Sequence, residues 1–432
     1  MKLQNIIEHK YYMSTMLIII FSYSLFHISV PQIGSLSLIF LILGTLPIFI
    51  VYKNKIFKTP IMILLILILV TQILSWINSL IYLPEFANTL PTIDRLGKLF
   101  IFIFIAYWLK GSIKNITYLW LFFCFGFLMT IISNVDLVTI FQHGFDQPRV
   151  DFLIKNTQWD SMLSGTSLLI SFALFYNTLI SIKFSKTMKV LLLLITFMFI
   201  LLFTYFVIIT QSRQVWLGLF SAMTIGAFSY LFIYKIVNLK IIFTLPIFIL
   251  SIIFIFTSSH IVQDRIHEES NVVSSIFDTN SSIKMSSIGV RVNSWLDASE
   301  WIQKHPLVGL DSEAIPQVIQ QSTRFNDILK SRYGHLHNFF IETLVAYGFI
   351  GFILILALYY FIIKSISSSS LSTQEKKYHL LISIIFTTYW IVINNFETFS
   401  SRSLGVFVHN LIFASFYTFY LTDYLKTDTK ST

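Results

Sequence analysis

The sequence predicts an all-α, polytopic integral membrane protein of about twelve transmembrane helices with a helical cap outside the membrane. Three observations lead there. Of 432 residues, 55% are hydrophobic and 12% charged, whereas a soluble domain carries about 25% charged residues; mean hydropathy is +0.75. Apolar runs of spanning length, about 20 residues, recur along the chain. The basic residues fall on alternate connections between those runs, as the positive-inside rule requires. The single cysteine, Cys124, lies within an apolar run, so neither a disulfide framework nor a thiolate metal site is available within one chain.

The expected spans are 12–30, 33–52, 60–83, 95–109, 116–133, 161–182, 188–210, 213–234, 239–258, 338–363, 379–395 and 404–422. The fourth is short. No cleavage site follows the first run, so it reads as a retained helix. Seventeen of the twenty-two lysines, among them Lys53, Lys55, Lys110, Lys114, Lys364, Lys376 and Lys426, lie on the side that also holds both termini. That side is expected to be cytoplasmic. The net charge of +9 is therefore topological and does not mark a nucleic-acid surface.

All eight arginines lie on the opposite side or at its membrane edge: Arg95, Arg149, Arg213, Arg265, Arg291, Arg324, Arg332 and Arg402. Lysine suffices to orient a membrane protein. A planar guanidinium fork suits the paired oxygens of phosphate or carboxylate, so an anionic, phosphorylated ligand is expected on this outer face. Residues 1–258 read as spans one to nine, 259–337 as a large outer loop with amphipathic helices, and 338–432 as spans ten to twelve with a cytoplasmic tail. Within the loop, Ile288, Val292, Trp295, Ser299 and Ile302 recur at helical spacing, ending near His305-Pro306. A second helix is expected after Asp311, with Ile315, Val318, Ile319, Phe325 and Ile328. Trp76, Trp108, Trp120, Trp159 and Trp390 lie near span ends and read as interfacial belt residues.

The chemistry-bearing stretch is "HLHN", at the mouth of the tenth span. A neutral imidazole at a membrane edge among arginines suits a general base, and His337 is that candidate. His335 and Asn338 support it, with Asn338 expected in the first helical turn. Glu342 lies close enough in sequence either to orient the histidine or to neutralise an arginine. Two histidines one residue apart are also a potential metal pair, but HExxH spacing is missing; no metal and no cofactor are expected. Arg213, at the junction of two apolar runs, is a functional candidate by position. Arg291 precedes Trp295 by one turn. Arg149 and Arg402 are weaker candidates in short outer loops.

Three motifs in order, "TQSRQVWLGL" (210–219), "GVRVNSWLDASEWIQKHPLVGL" (289–310) and "HLHNFFIETLVAYGFIG" (335–351), together with this layout, resemble the O-antigen ligase and polymerase superfamily of Gram-negative bacteria. The likeness is greatest to the ligases. It implies a bacterial inner-membrane enzyme with its active site and cap facing the periplasm. His337 matches the family's proposed base, and Arg213 and Arg291 match arginines thought to grip the donor diphosphate. The implied partners are an undecaprenyl diphosphate-linked O-antigen donor, a lipid A–core acceptor and membrane lipids. The implied reaction is a metal-independent, inverting glycosyl transfer. O-antigen polymerase, protein O-oligosaccharyltransferase and an anionic-lipid transporter remain open as alternatives. Two positions depart from the family pattern: Ala346 replaces a frequent acid, and Asp311 replaces the last glycine of P-L-x-G-x-G.

Overall fold

The computed structural model describes residues 3–145, 149–180, 185–236 and 285–426. Every regular element among them is helical. Eleven long helices are numbered here in chain order: α1 (Lys10–Ser29), α2 (Pro31–Val51), α3 (Pro60–Tyr82), α4 (Ile113–Asn134), α5 (Thr157–Ile180), α6 (Lys186–Ile209), α7 (Arg213–Tyr234), α8 (Ser287–Lys304), α9 (Phe339–Ser367), α10 (Thr373–Asn394) and α11 (Ser403–Lys426). All but α8 and α10 are long and apolar enough to cross a bilayer, which makes the chain a multi-pass, all-α membrane protein. The expected span 379–395 lies within α10, which packs along α7. The expected span 239–258, Arg265 and the rest of residues 237–284, ahead of α8, lie outside the described residues.

Local chemistry sets the helix starts. Pro31 and Pro60 occupy first-turn positions that need no N–H donor. Thr59, Ser112, Ser185 and Ser286 each accept a backbone N–H as N-caps. Ser372 and Glu375 form a reciprocal capping box.

The expected fourth span is not one continuous helix. It is divided into Asp94–Gly97, a 3₁₀ turn Lys98–Phe100, and Phe102–Leu109. Side-chain amides from other helices replace the missing ladder. Gln72 of α3 accepts from Leu96 N (3.1 Å), while Asn410 of α11 accepts from Phe102 N (2.7 Å) and donates to Lys98 O (3.0 Å). A buried backbone group left without such a partner would cost several kcal/mol. Helix α11 forms the centre of the bundle, with nearly every residue from Leu404 to Phe419 buried. Trp108, Trp120 and Trp390 are 1–3% exposed and belong to this packed interior, not to an interfacial belt as expected. Their apolar neighbours across the bundle explain this: Trp120 meets Phe386 and Phe416, and Trp390 meets Phe399 and Phe413.

Helix α9 breaks at Gly348, whose φ of 60° and ψ of −166° are not helical. The groups freed by the break pair with the segment after α8. Phe349 N donates to Pro306 O (2.7 Å) and Ile350 N to Leu307 O (3.2 Å). In return, Leu310 N donates to Val345 O (3.1 Å) and Asp311 N to Ala346 O (2.9 Å). Ser75 Oγ accepts from Asp311 N (2.6 Å) and also donates to Ala346 O, while Asn78 Nδ2 donates to Gly309 O (2.6 Å). A Cβ on Gly348 would strike the backbone of Leu307, and one on Gly309 the backbone of Ala346. Glycine is required at both because φ is positive and main chain touches main chain. Asp311 also has positive φ, 59°. The position that carries glycine in the family pattern thus retains the glycine conformation here, adopted by an aspartate, a residue more tolerant of it than most.

The arginine-bearing connections gather at the end of the bundle where this crossing lies, beside α8. The lysine-rich connections meet at the other end, where Lys55 Nζ donates to Leu425 O (3.1 Å) and Ser370 Oγ to Asp423 (2.7 Å).

Candidate functional site

The segment His335–Asn338 is fixed at its middle residue. Leu336 is fully buried; its N–H donates to Glu342 Oε1 (2.9 Å) and its carbonyl accepts from Trp295 Nε1 (2.8 Å). The other oxygen of Glu342 pairs with Arg95. Glu342 thus holds the histidine segment through the Leu336 backbone and pairs with an arginine. Trp295 lies within the R-x-x-x-W motif, so one motif clamps the other. His335 and His337 flank the anchored leucine with ring centroids 3.9 Å apart. His337 has φ of 52°, a left-handed conformation that a non-glycine residue holds only under tertiary constraint. Asn338 is not in the first turn as expected but is the N-cap of α9, accepting from Phe340 N (2.9 Å) and Ile341 N (3.0 Å).

The loop between α10 and α11 supplies Glu397, which is 4% exposed. Its Oε2 lies 3.3 Å from His337 Nδ1, and its Oε1 lies 3.9 Å from His335 Nδ1. Burial pushes the Glu397 carboxyl upward, but the hydrogen bond and charge of His337 and the charge of His335 outweigh it and hold the group below the usual glutamate range. His335 is lowered to about 4, chiefly by burial and then by the charges of His337, Arg402 and Arg291. It is therefore neutral at pH 7. A proton on Nδ1 of His337 facing the carboxylate leaves Nε2 as the acceptor.

Gln158 continues the chain of contacts. In the amide orientation that satisfies both ends, its nitrogen donates to Glu397 Oε2 (2.5 Å) and its oxygen accepts from Arg291 (3.3 Å). Histidine, glutamate, glutamine and arginine thus form one connected polar series. Two cavities meet along it. One, of about 250 Å³, is lined by Arg149, Arg213 and Arg291 and by apolar Leu217, Ile288, Val292 and Trp295. The other, of about 300 Å³, holds His335, His337, Glu397 and Arg402. Arg149 and Gln158 line both.

Local geometry explains how the arginines reach this wall. Arg213 is the first residue of α7, after a turn in which Gln211 has φ of 48°. Arg149 is strapped to that turn, its Nε donating to Thr210 O (3.2 Å) and Val150 N to Ile209 O (3.1 Å). On α8 the expected apolar stripe is not the packed face. Gly289, Val290, Asn293, Ser294, Asp297 and Ala298 are buried, and Ile288, Val292 and Trp295 line the arginine cavity. The second loop helix is short, Ala314–Gln320, and Ile328 beyond it is 75% exposed. Arg324 ties the cap together through Asp297 (2.7 Å).

The structure therefore brings His335, His337, Arg149, Arg213, Arg291 and Arg402 to two adjoining cavities, with Asn338 and Glu342 shaping the histidine segment. Sequence reasoning missed Gln158 and Glu397. The available signal for Glu397 was a solitary acid in the short outer loop that also contains Arg402. The ligand atoms of His335, His337 and Glu397 lie within 4.8 Å of one another, so a carboxylate–histidine cluster that could hold a divalent cation does exist, although HExxH spacing does not.

Residues 197–356 match the family model described as O-antigen ligase. That match supports membership of the O-antigen ligase and polymerase superfamily. It is also 25% identical over 214 residues to an uncharacterized protein of Haemophilus influenzae (strain ATCC 51907 / DSM 11121 / KW20 / Rd). That alignment covers 48% of this chain and 52% of the relative, so the chain spans about half the length of the relative it matches.

Proposed function

We propose, from that match and from the site, that the protein is an O-antigen ligase of the bacterial inner membrane. It transfers O-polysaccharide from undecaprenyl diphosphate to a hydroxyl of lipid A–core oligosaccharide. The single observation that supports this most is the adjacency of a carboxylate-backed histidine and a three-arginine cavity with an apolar wall and, among the described residues, no carboxylate in its lining. A polyprenyl diphosphate has matching parts: a polyanionic head for Arg149, Arg213 and Arg291, and a hydrocarbon chain for Leu217, Ile288 and Val292. A lateral opening between helices would admit that chain.

In this reading Nε2 of His337 takes the acceptor hydroxyl proton. The oxygen forms a bond to the anomeric carbon from the face opposite the leaving group. The C1–O bond to phosphate breaks, and its electron pair departs with the diphosphate. One direct displacement inverts the anomeric centre. Arg213 and Arg291 stabilise the charge that grows on the leaving group, and only stabilisation gained in the transition state accelerates the step. Glu397 orients His337 and compensates its positive charge. The reaction proceeds on the periplasmic side, with both termini in the cytoplasm, and needs no divalent cation.

The test is expression of His337→Ala and of Arg213→Ala in a ligase-deficient strain at matched protein levels. Full O-antigen ladders on core from either variant refute that residue's role. Because His335, His337 and Glu397 also offer a cation three ligands, chelation is the second test. Activity of the purified protein should survive EDTA, and loss restored by a divalent ion would reverse the metal-independent assignment. A deletion strain distinguishes the relatives: core-only bands indicate ligase, and core bearing one repeat indicates polymerase.

A further inference from the structure

We infer that a third cavity, on the far side of His335 from the arginine wall, is the acceptor-side binding site for a hydroxyl-bearing glycan; this rests on the glycosyl-transfer reading above. The cavity measures about 360 Å³, within the usual range for small-ligand sites. It shares His335 and Arg402 with the histidine cavity. The three spaces therefore run in series, with the histidines in the middle.

The lining of this third space is unlike that of the first. Its cations are Arg95, Lys98 and Arg402, and its anions are Asp94, Glu313 and Glu342. Arg95 pairs with Glu342, and Lys98 pairs with Asp94. The local charge is close to balance, so a diphosphate would gain little there. Charged donors and acceptors lining the same cavity match the O–H donors and oxygen acceptors of a sugar. Glu313 is held in place by Asn88, whose Nδ2 donates to its Oε1 (3.2 Å) and also to Thr92 Oγ1 (3.1 Å). Its other carboxylate oxygen faces no such contact among the described residues. At the rim, Gly334 is exposed, and a Cβ there meets nothing within 4 Å. Its backbone does not require glycine, because its φ is not positive. A bulky side chain at 334 would enter the cavity mouth without disturbing packed neighbours.

The experiment uses the full chain in lipid nanodiscs, with binding of two probes measured separately: deacylated lipid A–core oligosaccharide and undecaprenyl diphosphate. Gly334→Trp and Glu313→Gln are each expected to weaken the core oligosaccharide by about tenfold or more and to leave undecaprenyl diphosphate within about twofold. Leu217→Trp, on the arginine cavity, is expected to do the reverse. Thermal melting of each variant checks the fold, and Glu313→Gln keeps the side-chain shape if Gly334→Trp melts early. Core affinity unchanged in both variants, or both probes weakened together by Gly334→Trp, overturns the inference. If the wild type ignores the core but binds a lipid-linked repeat that Gly334→Trp excludes, the acceptor site holds and the ligase assignment fails. If the wild type binds neither glycan, the inference is wrong.

Discussion

The crossing of residues 306–311 with 345–350 and the cavity of Arg149, Arg213 and Arg291 are held by different means. The crossing is main chain on main chain: four reciprocal hydrogen bonds, a serine between them, and two glycines that leave no room for a methyl group. The cavity is side chain on side chain, with its half-buried arginines drawn from a loop (Arg149), the start of α7 (Arg213) and the second turn of α8 (Arg291). The first admits almost no variation without loss of the fold. The second can lose a guanidinium and remain standing. On the proposed reading this division suits an enzyme whose ligand arrives from the membrane, because a rigid frame stands beside an adaptable cavity that would meet the lipid head.

The largest expected effect is on the crossing itself. Gly348→Ala or Gly309→Ala combines left-handed strain with overpacking, about 3 kcal/mol or more. Most of the protein should fail to accumulate in the membrane, as an immunoblot of membrane fractions would show. Wild-type levels of either variant would dissolve the contrast drawn here.

Next comes chemistry without a stability cost. His337→Ala should lower transfer about 10²- to 10⁴-fold, with a melting temperature close to that of the wild type. Arg291→Ala should cost about 10²- to 10³-fold in kcat/KM, and Arg291→Lys should restore only part of it, since an ammonium cannot form the bidentate fork. Full rescue by lysine would mean that charge alone suffices at that position. Glu397→Gln should lower kcat roughly 10- to 100-fold with KM for the donor little changed, less than a tightly bonded triad carboxylate would cost, because the contact to His337 is long at 3.3 Å.

The smallest effect is a pH dependence. The unfolded chain protonates His335 near 6.5, and the folded chain only near 4. The unfolded state thus binds the extra proton between those values, and stability is lost as pH falls through that window. Glu397 acts in the same direction, because its folded-state value is depressed, and its stabilisation is lost as the pH falls below the ordinary glutamate range. His335→Asn should flatten the melting curve's dependence on pH between about 6.5 and 4; an unchanged slope would show that His335 is not the titrating group.

Much of this architecture can be read from the sequence, for identifiable reasons. Spans such as α6 and α9 are single apolar runs whose composition alone forces a helix in lipid. His337, Arg213 and Arg291 each sit in a local pattern of their own. The break within 94–109 could not be read, because the groups that permit it, Gln72 and Asn410, lie on distant helices. Glu397 stayed hidden for the same reason: it is 60 residues from His337 and becomes meaningful only when α10 and α11 bring its loop to the histidines. The apolar stripe on α8 is legible from its spacing, but the cavity that Ile288, Val292 and Trp295 line is not, since periodicity cannot tell a packed face from a cavity-facing one.

The burial of α11 has a further consequence for how the bundle is made. This helix touches the 102–109 segment, α9 and the turn beside Glu397, and it follows every other described span in the chain. During synthesis the earlier described helices enter the bilayer around a groove that α11 later fills. Asn410 then completes the break at Lys98–Phe102 some three hundred residues after that segment was made. Assembly of this end of the bundle thus waits on a helix made after every other described span.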